Sequence, residues 1–425
     1  MKKNLSVDVH HLARVEGHGN IKVRVANGRL AEARWDVVET PRFFEVMLKD
    51  KHYTAAGILT ARICGICSIG HCLASVRATE HAFGITIPEV AADLRLLAKH
   101  GETLQSHVLH MFFLAVPDFL GLPSAIPLKD LKPEVFALVA RLKKLGNVIC
   151  DVVAGRTTHP VSIQVGGMAR MPDKHVLQDL RAQLENALGD LDAAVDLFAG
   201  LELPDFERET EFVSLKGDRN YAFIGGRLIS SDGTEMDESD YRGMTNEYVT
   251  ERNTSKWCKL SRESFAVGAL ARFNNNFHRL HAKARAVAAK LGLAPVCHNP
   301  FMCNVAQLIE CVHVVHDSMR IIDKLLADPP TDTIAPVTPR AGVGVGAVEV
   351  PRGILYHEYE YNRSGRVVRA NCVIPTTQNN ANIHHDLEAL VRKYAADDDM
   401  TDEKLELLCS MLVRAYDPCI SCSVH

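Results

Sequence analysis

Residues 62–71, RICGICSIGH, and residues 417–425, DPCISCSVH, each contain two cysteines separated by two residues. Two such C-x-x-C pairs offer four thiolates, which can bind metal together if the fold brings both ends of the chain into one pocket. The spacing alone favours structural zinc. Half-sites of zinc ribbons, however, usually lie about 15–20 residues apart, whereas almost the entire chain separates these pairs. Four thiolates also suit softer transition metals, and bridging sulfurs would let one pocket hold two metals.

The composition predicts a folded protein with a large core. The chain has 425 residues, of which 47% are hydrophobic and 24% are charged, as in ordinary globular proteins. The net charge is -4, from 48 basic and 52 acidic side chains. A nucleic-acid partner is therefore not expected, because it would require a concentrated basic face.

Residues 1–19 contain two lysines but no apolar stretch behind them, so we expect no signal peptide and a cytoplasmic protein. The nearly uncharged run 108–128 contains His110, Asp118 and three prolines, which predicts buried protein interior rather than a membrane span. In a reducing compartment the twelve cysteines are not expected to form a disulfide framework. Those outside the two pairs are expected to be small buried apolar side chains: Cys72, Cys150, Cys258, Cys297, Cys303, Cys311, Cys372 and Cys409.

Hydrophobic periodicity predicts a mainly α-helical protein with small β elements, that is, an α+β class with a core of long bundled helices. Residues 18–38 alternate around Asn27–Gly28, which predicts an N-terminal antiparallel ribbon. A small C-terminal β region is predicted from two strands. The predicted helices cover 90–116, 133–155, 173–200, 265–292, 303–327, 382–397 and 401–414, and the two strands cover 353–361 and 366–374.

No repeat, low-complexity tract or linker divides the sequence, so we predict a single domain over residues 1–425. Residues 329–348 are expected to be a Pro/Gly loop, and their GVGVG motif is not expected to bind phosphate, because Pro351 stands where a helix would begin. The predicted parts of the domain are the ribbon with the first cysteine pair (1–87), helices (88–203), an irregular or β excursion (204–262), further helices (263–328) and a β region with helices and the second pair (329–425).

The patterns R-x-C-G-x-C-x-x-x-H at residues 62–71 and D-P-C-x-x-C-x-x-H at residues 417–425 resemble the signatures of nickel-iron hydrogenase large subunits. Between about residues 200 and 300 the resemblance is weak, and Ala154 stands where the family often has glycine. Neither departure touches a predicted metal ligand. The resemblance extends to RVEGH at 14–18, PRFFE at 41–45, GRTTHP at 155–160, PRG at 351–353 and IPTTQN at 374–379.

The resemblance implies a nickel-iron centre and the large-subunit fold of that family. Cys64 and Cys419 would be terminal ligands of nickel, while Cys67 and Cys422 would bridge nickel to an iron that carries carbon monoxide and cyanide. Dedicated maturation proteins would supply these diatomic ligands. The centre would cleave dihydrogen reversibly and heterolytically, and Cys419 would receive the proton.

Two further residues would take part in the reaction. Glu16 is predicted to carry the proton onward, since a carboxylate beside a metal thiolate can act as acid and base. Arg352 follows a proline that fixes the backbone and precedes a glycine that permits close approach, so its guanidinium would lie over the open metal position. The plainer alternatives are an exposed surface glutamate and an ordinary surface arginine.

Supporting residues are implied around these groups. Asp118 and Asp417 would hold Arg352 by charge-assisted hydrogen bonds, and Pro351 would fix its backbone. Thr376 would donate hydrogen bonds to the cyanides. His71, one helical turn beyond the first cysteine pair, would donate a hydrogen bond to a thiolate, although an isolated histidine is more often only a polar core residue.

A second metal site is implied at the C-terminus. His425, Glu45 and the backbone carbonyl of Cys372 would bind magnesium or a similar divalent ion, which prefers oxygen ligands. In the family a precursor tail is cut off after the terminal histidine, so a processing protease is an expected partner.

No further cysteine cluster remains for an iron-sulfur centre, so the electrons would have to pass to a small iron-sulfur subunit. The chain resembles the cytoplasmic multi-subunit groups, which reduce NAD, deazaflavin or viologen or bifurcate electrons, with flavin, ferredoxin-like or disulfide-reductase modules as further partners. Two alternatives remain open. One is a quinone-site subunit of a respiratory complex, which lacks the cysteine ligands, and the other is a zinc-stabilised scaffold without catalysis.

Overall fold

The structure, a computed structural model, describes residues 3–218, 220–327 and 332–425. Long helices dominate it, and small sheets pack against them, so the predicted α+β class with a helical core is confirmed. Within the described ranges the α-helices are α1 (Phe44–Leu48), α2 (Tyr53–Thr60), α3 (Ser68–Phe83), α4 (Glu89–Leu109), α5 (Val116–Phe119), α6 (Leu128–Leu131), α7 (Pro133–Ala154), α8 (Lys174–Asn186), α9 (Leu188–Ala199), α10 (Tyr241–Thr245), α11 (Ala269–Asn276), α12 (Ala282–Lys290), α13 (Cys303–Ala327), α14 (Pro375–Tyr394), α15 (Asp402–Ala415) and α16 (Ile420–Ser423).

The strands form four small sheets in the described part of the chain. Their orders are β1-β2-β3, β4-β5, β8-β7-β6-β9 and β10-β11-β12, and all pairs are antiparallel except β6 with β9. The strands are β1 (Leu5–Val9), β2 (Gly19–Ala26), β3 (Arg29–Val37), β4 (Ile163–Gln164), β5 (Gly167–Met168), β6 (Glu211–Lys216), β7 (Arg227–Ser230), β8 (Glu235–Met236), β9 (Phe265–Ala266), β10 (Gly342–Val350), β11 (Gly353–Tyr361) and β12 (Val367–Val373).

The predicted N-terminal ribbon is present as β2 and β3. Asn27 and Gly28 form its two-residue turn, with φ values of 54° and 73°, as a tight hairpin requires. The sequence prediction missed β1, which adds a third antiparallel strand with Leu5 opposite Val25. The apolar side of this sheet is buried, and Trp35 on β3 hydrogen-bonds through Nε1 to the side chain of Asn380 on α14.

Helix α4 is the centre of the helical core, because it packs against both α7 and α13 and is buried along nearly its whole length. A Cβ at Gly146 would lie 2.6 Å from the backbone nitrogen of Gln105, so only glycine lets α7 approach α4 this closely. Beyond α4, the chain continues through a π-helical turn, His110–Ala115, into α5. Much of the uncharged run 108–128 is thus buried interior, as predicted.

No helix in ranges 3–218, 220–327 and 332–425 is long and apolar enough to cross a membrane.

The sheet β10-β11-β12 lies directly on α3. Residues 342–348 were expected to belong to a Pro/Gly loop, but they form most of β10, and this prediction is wrong from residue 342 onward. A Cβ at Gly344 would lie 2.1 Å from the carbonyl oxygen of Ala78, and one at Gly346 would lie 2.2 Å from that of Ala74. The alternating glycines therefore let a strand lie against a helix backbone. The first residues of the expected loop, 329–331, lie outside the described residues.

Most other predicted elements agree with the structure apart from their ends, but two predicted helices are not continuous. The helix predicted at 173–200 is divided into α8 and α9. The helix predicted at 265–292 is wrong as one element: it begins as strand β9 and continues as α11 and α12, which are separated by the extended backbone of Leu280 and His281. Residues 204–262 contain the strands β6, β7 and β8, as expected for an irregular or β excursion, and β6 packs beside β10 and β11. The strands predicted at 353–361 and 366–374 correspond to β11 and β12, and the helix predicted at 401–414 corresponds to α15. Helix α14 begins at Pro375, seven residues earlier than predicted, because its first turns are polar and show no apolar periodicity.

Candidate metal centre

The first cysteine pair lies at the start of α3 and is supported by α4. Cys67 immediately precedes α3, and its amide lies 3.3 Å from Sγ of Cys64. Gln105 on α4 donates to the carbonyl of Ile66 between the cysteines at 3.1 Å. Glu102 on α4 accepts a hydrogen bond from the amide of Gly70 at 2.9 Å. Buried helix packing therefore fixes this pair.

The second pair flanks the start of α16 and is held by residues from distant parts of the chain. The amide of Cys419 donates to Oγ1 of Thr376 at 2.9 Å. Nη2 of Arg42 donates to the carbonyls of Ile63 and Ser421, at 2.6 Å and 2.7 Å. Because these carbonyls belong to the two opposite ends of the chain, Arg42 joins the segments that carry the two pairs.

The two pairs meet in one buried pocket. Sγ of Cys64 lies 3.8 Å from Sγ of Cys419, and the sulfurs of Cys64, Cys67 and Cys422 lie within 4.8 Å of one another. Cys419 and Cys422 are linked as a disulfide, with their Cα atoms 5.4 Å apart. The sequence did not predict this bond, which is possible because both sulfurs point into the same pocket. Metal binding through both sulfurs requires the reduced pair.

The pocket favours an ionised thiolate. A hydrogen bond with Cys67 lowers the pKa of Cys64, although burial opposes this effect, and the positive charge of Arg352 adds to it. The same hydrogen bond, together with burial, raises the pKa of Cys67. The first pair therefore shares its protons unequally, with Cys64 as the better thiolate.

Glu16 lies beside the second pair, as predicted. Its Oε2 is 3.1 Å from Sγ of Cys419 and accepts a hydrogen bond from the amide of Ser421 at 3.0 Å. Its Oε1 accepts a hydrogen bond from the hydroxyl of Ser421. A Cβ at Gly17 would lie 2.8 Å from the amide nitrogen of Ser421, so the glycine after Glu16 permits this close approach.

Arg352 occupies the two-residue turn between β10 and β11 and is 4% exposed. Its Nε and Nη2 donate to the carbonyl and Oδ1 of Asp417, at 2.7 Å and 2.9 Å. Its Nη1 is buried and has no hydrogen-bond partner. Burial disfavours the charge, but Asp417 and the cysteines Cys64 and Cys67 raise the pKa of Arg352, which stays cationic. The predicted pairing with Asp417 is thus observed, and one donor remains free.

The predicted pairing of Asp118 with Arg352 is wrong. The carboxylate of Asp118 instead binds Arg14 through Oδ1 and Arg414 through Oδ2, the latter at 2.8 Å. Both oxygens are therefore occupied by other arginines. Because the amide of Asp417 donates to the carbonyl of Arg414 at 2.8 Å, Asp118 supports the base of the C-terminal segment.

His71 and Thr376 also differ in part from expectation. Nδ1 of His71 lies 3.2 Å from Nε2 of His357 on β11, and a hydrogen bond from His71 to a cysteine sulfur is not observed among the described residues. Burial, reinforced by His357, holds the pKa of His71 well below its usual range, so the ring is neutral. Thr376 accepts from the amide of Cys419, which leaves its hydroxyl proton to donate elsewhere.

Glu45, Cys372 and His425 come together, as predicted for a second metal site. Potential ligand atoms of their side chains lie within 4.8 Å of one another. Oε1 of Glu45 accepts from the amide of Cys372 at 2.7 Å and lies 3.5 Å from Nε2 of His425. Although burial opposes it, the hydrogen bond to His425 lowers the pKa of Glu45, which keeps the carboxylate ionised.

Sequence reasoning missed the residues that hold the cysteine pairs in place. Arg42 was part of a resembling stretch but received no role, and Gln105 and Glu102 lie within an ordinary helical pattern. Their partners are backbone groups of residues distant in sequence, and no spacing motif reveals such contacts. A buried polar residue on an otherwise apolar helix face is the signal that would have identified Glu102.

Comparison with known proteins gives a consistent assignment. The family model described as nickel-dependent hydrogenase matches residues 42–134 and 221–425. The sulfhydrogenase 1 subunit alpha of Pyrococcus furiosus is 33% identical over 424 residues, covering 99% of this chain and 98% of that protein. The NAD-reducing hydrogenase HoxS subunit beta of Cupriavidus necator is 28% identical, covering 100% of this chain and 95% of the relative.

Among solved structures, an NAD+-reducing [NiFe]-hydrogenase in the H2-reduced state is similar, with a TM-score of 0.89 and 27% identity. The superposition covers 99% of both chains. The matched regions include both cysteine pairs, which the fold brings into one pocket. The chain therefore belongs to the nickel-dependent hydrogenase family.

Proposed function

We propose that this chain is the catalytic subunit of a nickel-iron hydrogenase that cleaves dihydrogen reversibly and heterolytically. The observation that carries the proposal is one buried pocket in which the four paired cysteines meet the carboxylate of Glu16, with the positive charge of Arg352 close enough to lower the pKa of Cys64. When bound, nickel and iron would supply Lewis acidity and redox capacity. The protein itself has to hold the metals, place a cation beside them and move a proton.

The donor set fits soft transition metals, because thiolates are the preferred ligands of such ions. Cys64 and Cys419 would hold the nickel, and Cys67 and Cys422 would hold both nickel and iron. Carbon monoxide and cyanide on the iron are part of the proposal. Thr376 supports it, since its hydroxyl lies at the amide of Cys419 and retains a proton for a cyanide nitrogen.

Glu16 is the proposed proton carrier. Its Oε2 lies within hydrogen-bond distance of Sγ of Cys419, and its Oε1 is bonded to the hydroxyl of Ser421. Proton transfer requires such contact between donor and acceptor. The route to solvent then continues past Gly17, where the carboxylate of Glu39 lies against the same turn and pairs with the largely exposed His18.

Arg352 is the proposed cation beside the open metal position. Asp417 fixes two of its donor nitrogens, and we propose that the remaining Nη1, which has no hydrogen-bond partner, faces the metal site. A buried guanidinium donor without a partner is costly in an ordinary core. This cost supports a functional role for the free donor.

We further propose that Glu45, His425 and the carbonyl of Cys372 bind magnesium or a similar ion. Cys372 pairs with His357 across β11 and β12, yet its amide donates to Glu45 on the opposite side. In antiparallel strands the amide and carbonyl of one residue point to the same side, so the carbonyl of Cys372 also faces the site. Such an ion would anchor the C-terminal segment.

The electrons need a partner subunit. Within the described residues, every group of three or more potential metal ligands lies at the cysteine centre or at the site formed by Glu45, Cys372 and His425, so we propose an iron-sulfur small subunit as the first acceptor. The proposed docking surface is an apolar cleft of about 520 Å³ beside the first cysteine pair. Its walls include the exposed side chains of Ile58, Val161 and Ile334, and exposed apolar patches of this kind mark interfaces.

Further partners are proposed from the relatives, whose names describe subunits of larger hydrogenases. The similarity to a subunit of an NAD-reducing enzyme supports a cytoplasmic assembly with a soluble acceptor. Flavin, ferredoxin-like or disulfide-reductase modules would carry the electrons onward. Maturation proteins and a C-terminal protease would complete the subunit.

If the chain were a zinc-stabilised scaffold, we would expect different side chains around the cysteines. A structural zinc site needs four sulfurs but has no use for an adjacent carboxylate or a free guanidinium donor. The quinone-site alternative has no use for the four cysteines. The geometry therefore favours the hydrogenase.

Elemental analysis of the purified native assembly tests the proposal. We expect about one nickel and one iron per catalytic chain beyond the iron of the partner, infrared bands of carbon monoxide and cyanide, and exchange of deuterium between H2 and D2O. Zinc alone in the four-cysteine site, without exchange activity, would contradict the proposed function.

A further inference from the structure

Arg272 on α11 is the centre of a buried ionic cluster that the proposed reaction does not use. Its side chain is 1% exposed. Nε and Nη2 each donate to one carboxylate oxygen of Glu310 at 2.6 Å, and Nη1 donates to Glu349 at 2.9 Å. The remaining donors reach the carbonyls of Val350 and Pro351, at 3.0 Å and 3.2 Å. All five N–H groups of the guanidinium are therefore satisfied.

The acidic partners of Arg272 are themselves fixed. Oε1 of Glu310 accepts from the hydroxyl of Tyr221 at 2.6 Å, and its Oε2 lies 2.7 Å from Nε2 of His107. Glu349 accepts from the amide of Leu215 at 2.8 Å. Burial opposes ionisation of Glu310, but Arg272 outweighs it and lowers the pKa of this carboxyl. The ion pair with Glu310 therefore remains charged and rigidly oriented.

The two carbonyls bound by Arg272 immediately precede Arg352. Pro351 and Arg352 form the tip of the hairpin between β10 and β11. On one side of this tip, a Cβ at Gly70 would lie 2.2 Å from Cγ1 of Val350. The tip is thus held between α3, which follows the first cysteine pair, and the guanidinium of Arg272.

We propose that Arg272 is a positioning residue that fixes the hairpin tip and thereby aims the free Nη1 of Arg352 at the cysteine pocket. The effect of Arg272 on catalysis rests on the proposed function, whereas its contact with the hairpin tip does not require bound metal. Asp417 sets the orientation of the Arg352 side chain, while Arg272 sets its backbone.

The test variant is Arg272→Lys in the full chain and in the native assembly. Lysine keeps the buried positive charge opposite Glu310 but has three donors instead of five and no planar fork. It cannot satisfy both carboxylates and both carbonyls. We expect amide hydrogen exchange in the peptide covering residues 350–354 to accelerate at least tenfold, while nickel and iron contents remain normal. Exchange between H2 and D2O should fall at least tenfold at saturating H2.

Arg95→Lys is a matched control. Arg95 is also buried, forms a bidentate pair with Glu80 at 2.9 Å and 2.6 Å, and donates to the carbonyls of Gln164 and Gly167. Its replacement should destabilise the chain comparably, as seen in the melting temperature. It should leave amide exchange at residues 350–354 unchanged.

The outcomes separate the two proposals. Unchanged amide exchange at residues 350–354 in Arg272→Lys would overturn the positioning role, as would equal acceleration there in Arg95→Lys. Faster amide exchange in an assembly that contains only zinc would uphold the contact between Arg272 and the hairpin and reject the hydrogenase. Normal H2/D2O exchange despite a mobile hairpin tip would show that Arg352 does not need this support.

Discussion

The two cysteine pairs have the same spacing but are held in opposite ways. The first pair lies between α2 and α3, and its contacts to Glu102 and Gln105 come from the single buried helix α4. The second pair lies within the last seven residues, next to the four-residue helix α16. Its contacts come from Glu16, Arg42 and Thr376, which belong to three separate segments.

This difference indicates an order of assembly. Helix packing fixes the first pair, because α3 and α4 belong to the main hydrophobic core. The second pair belongs to the same core, but α16 has only four residues, so its position also depends on individual hydrogen bonds to distant segments. Each such bond contributes about 0.5–1.5 kcal/mol, or about 1.5–3 kcal/mol when a charged group takes part. We therefore expect the C-terminal segment to close over the first pair last, which leaves the first pair accessible to metal beforehand.

The largest expected effect tests whether both pairs are ligands of one centre. Cys67→Ala and Cys422→Ala should each abolish nickel and iron binding, because each removes a proposed ligand of both metals. Elemental analysis measures the loss. Cys409→Ala, which removes a buried thiol from α15, is the control and should retain both metals. Normal metal content in either ligand variant would separate the two pairs functionally.

The next effect concerns the carboxylate beside the second pair. Glu16→Gln keeps an oxygen for the amide of Ser421 but cannot carry a proton, so exchange between H2 and D2O should fall about 10²–10⁴-fold with metals retained. Glu32→Gln, at a half-buried position of the N-terminal ribbon, should keep the full rate. A near-normal rate in Glu16→Gln would remove this residue from the proton route.

Arg352 is tied to the second pair through Asp417. Arg352→Lys should leave nickel and iron in place but cut exchange between H2 and D2O by about 10²-fold, the typical loss when one preorganised donor is removed, since a lysine that pairs with Asp417 has no rigid third nitrogen to present. Metal content and exchange rate together test this expectation. A fully active lysine variant would show that a point charge suffices at this position.

A smaller effect should distinguish the supports of the two pairs. Arg42→Met removes both hydrogen bonds that join Ile63 and Ser421, and amide exchange at residues 420–424 should accelerate at least tenfold, as expected from about 1.5–3 kcal/mol per charged hydrogen bond. Gln105→Met removes one bond to Ile66 and one from Lys143, which keeps its bond to Asn147, and exchange near residue 66 should change only severalfold because a single neutral bond to this segment is lost. Equal effects would contradict the proposed difference in support.

The smallest expected effect is a loss of folding stability in acid, which comes from two buried histidines on α4 and α13. Burial lowers the pKa of His100 to about 3 and that of His313 to about 4, whereas the pKa of a histidine in an unfolded chain is about 6.5. Between these values only the unfolded chain binds the protons. Stability therefore decreases as the pH falls from about 6.5 towards 4, by up to about 1.4 kcal/mol per pH unit for each histidine.

The variant His313→Gln tests this linkage. Glutamine can still accept the hydrogen bond from the amide of His281, but it does not titrate. The slope of unfolding free energy against pH between 5 and 6, from denaturant titrations, should decrease by about 1.4 kcal/mol per pH unit. His10→Gln, at an exposed position with 73% side-chain exposure, is the control. An unchanged slope in His313→Gln would mean that His313 does not titrate as a buried neutral group.

The sequence predicts those elements that a local pattern of apolar and turn residues specifies. Alternation and a two-residue turn identified the ribbon, and apolar periodicity identified α4, α7 and α13. Prediction failed where tertiary contacts decide the outcome. The glycines of β10 suggested a loop because their need for close contact with α3 is invisible in sequence, and Asp118 was assigned to Arg352 because the competing arginines Arg14 and Arg414 are distant in the chain.

The sequence by itself determined the chemistry of the centre, because two C-x-x-C pairs, a glutamate near the start and an arginine between proline and glycine specify donor types and charge. Only the tertiary structure decided which groups meet. The pairing of Arg352 with Asp417, the joining of the two cysteine segments by Arg42, and the support of the hairpin tip by Arg272 all depend on contacts between residues far apart in sequence. Side-chain identity is local, whereas the partner of each buried charge is chosen by how helices and strands pack around it.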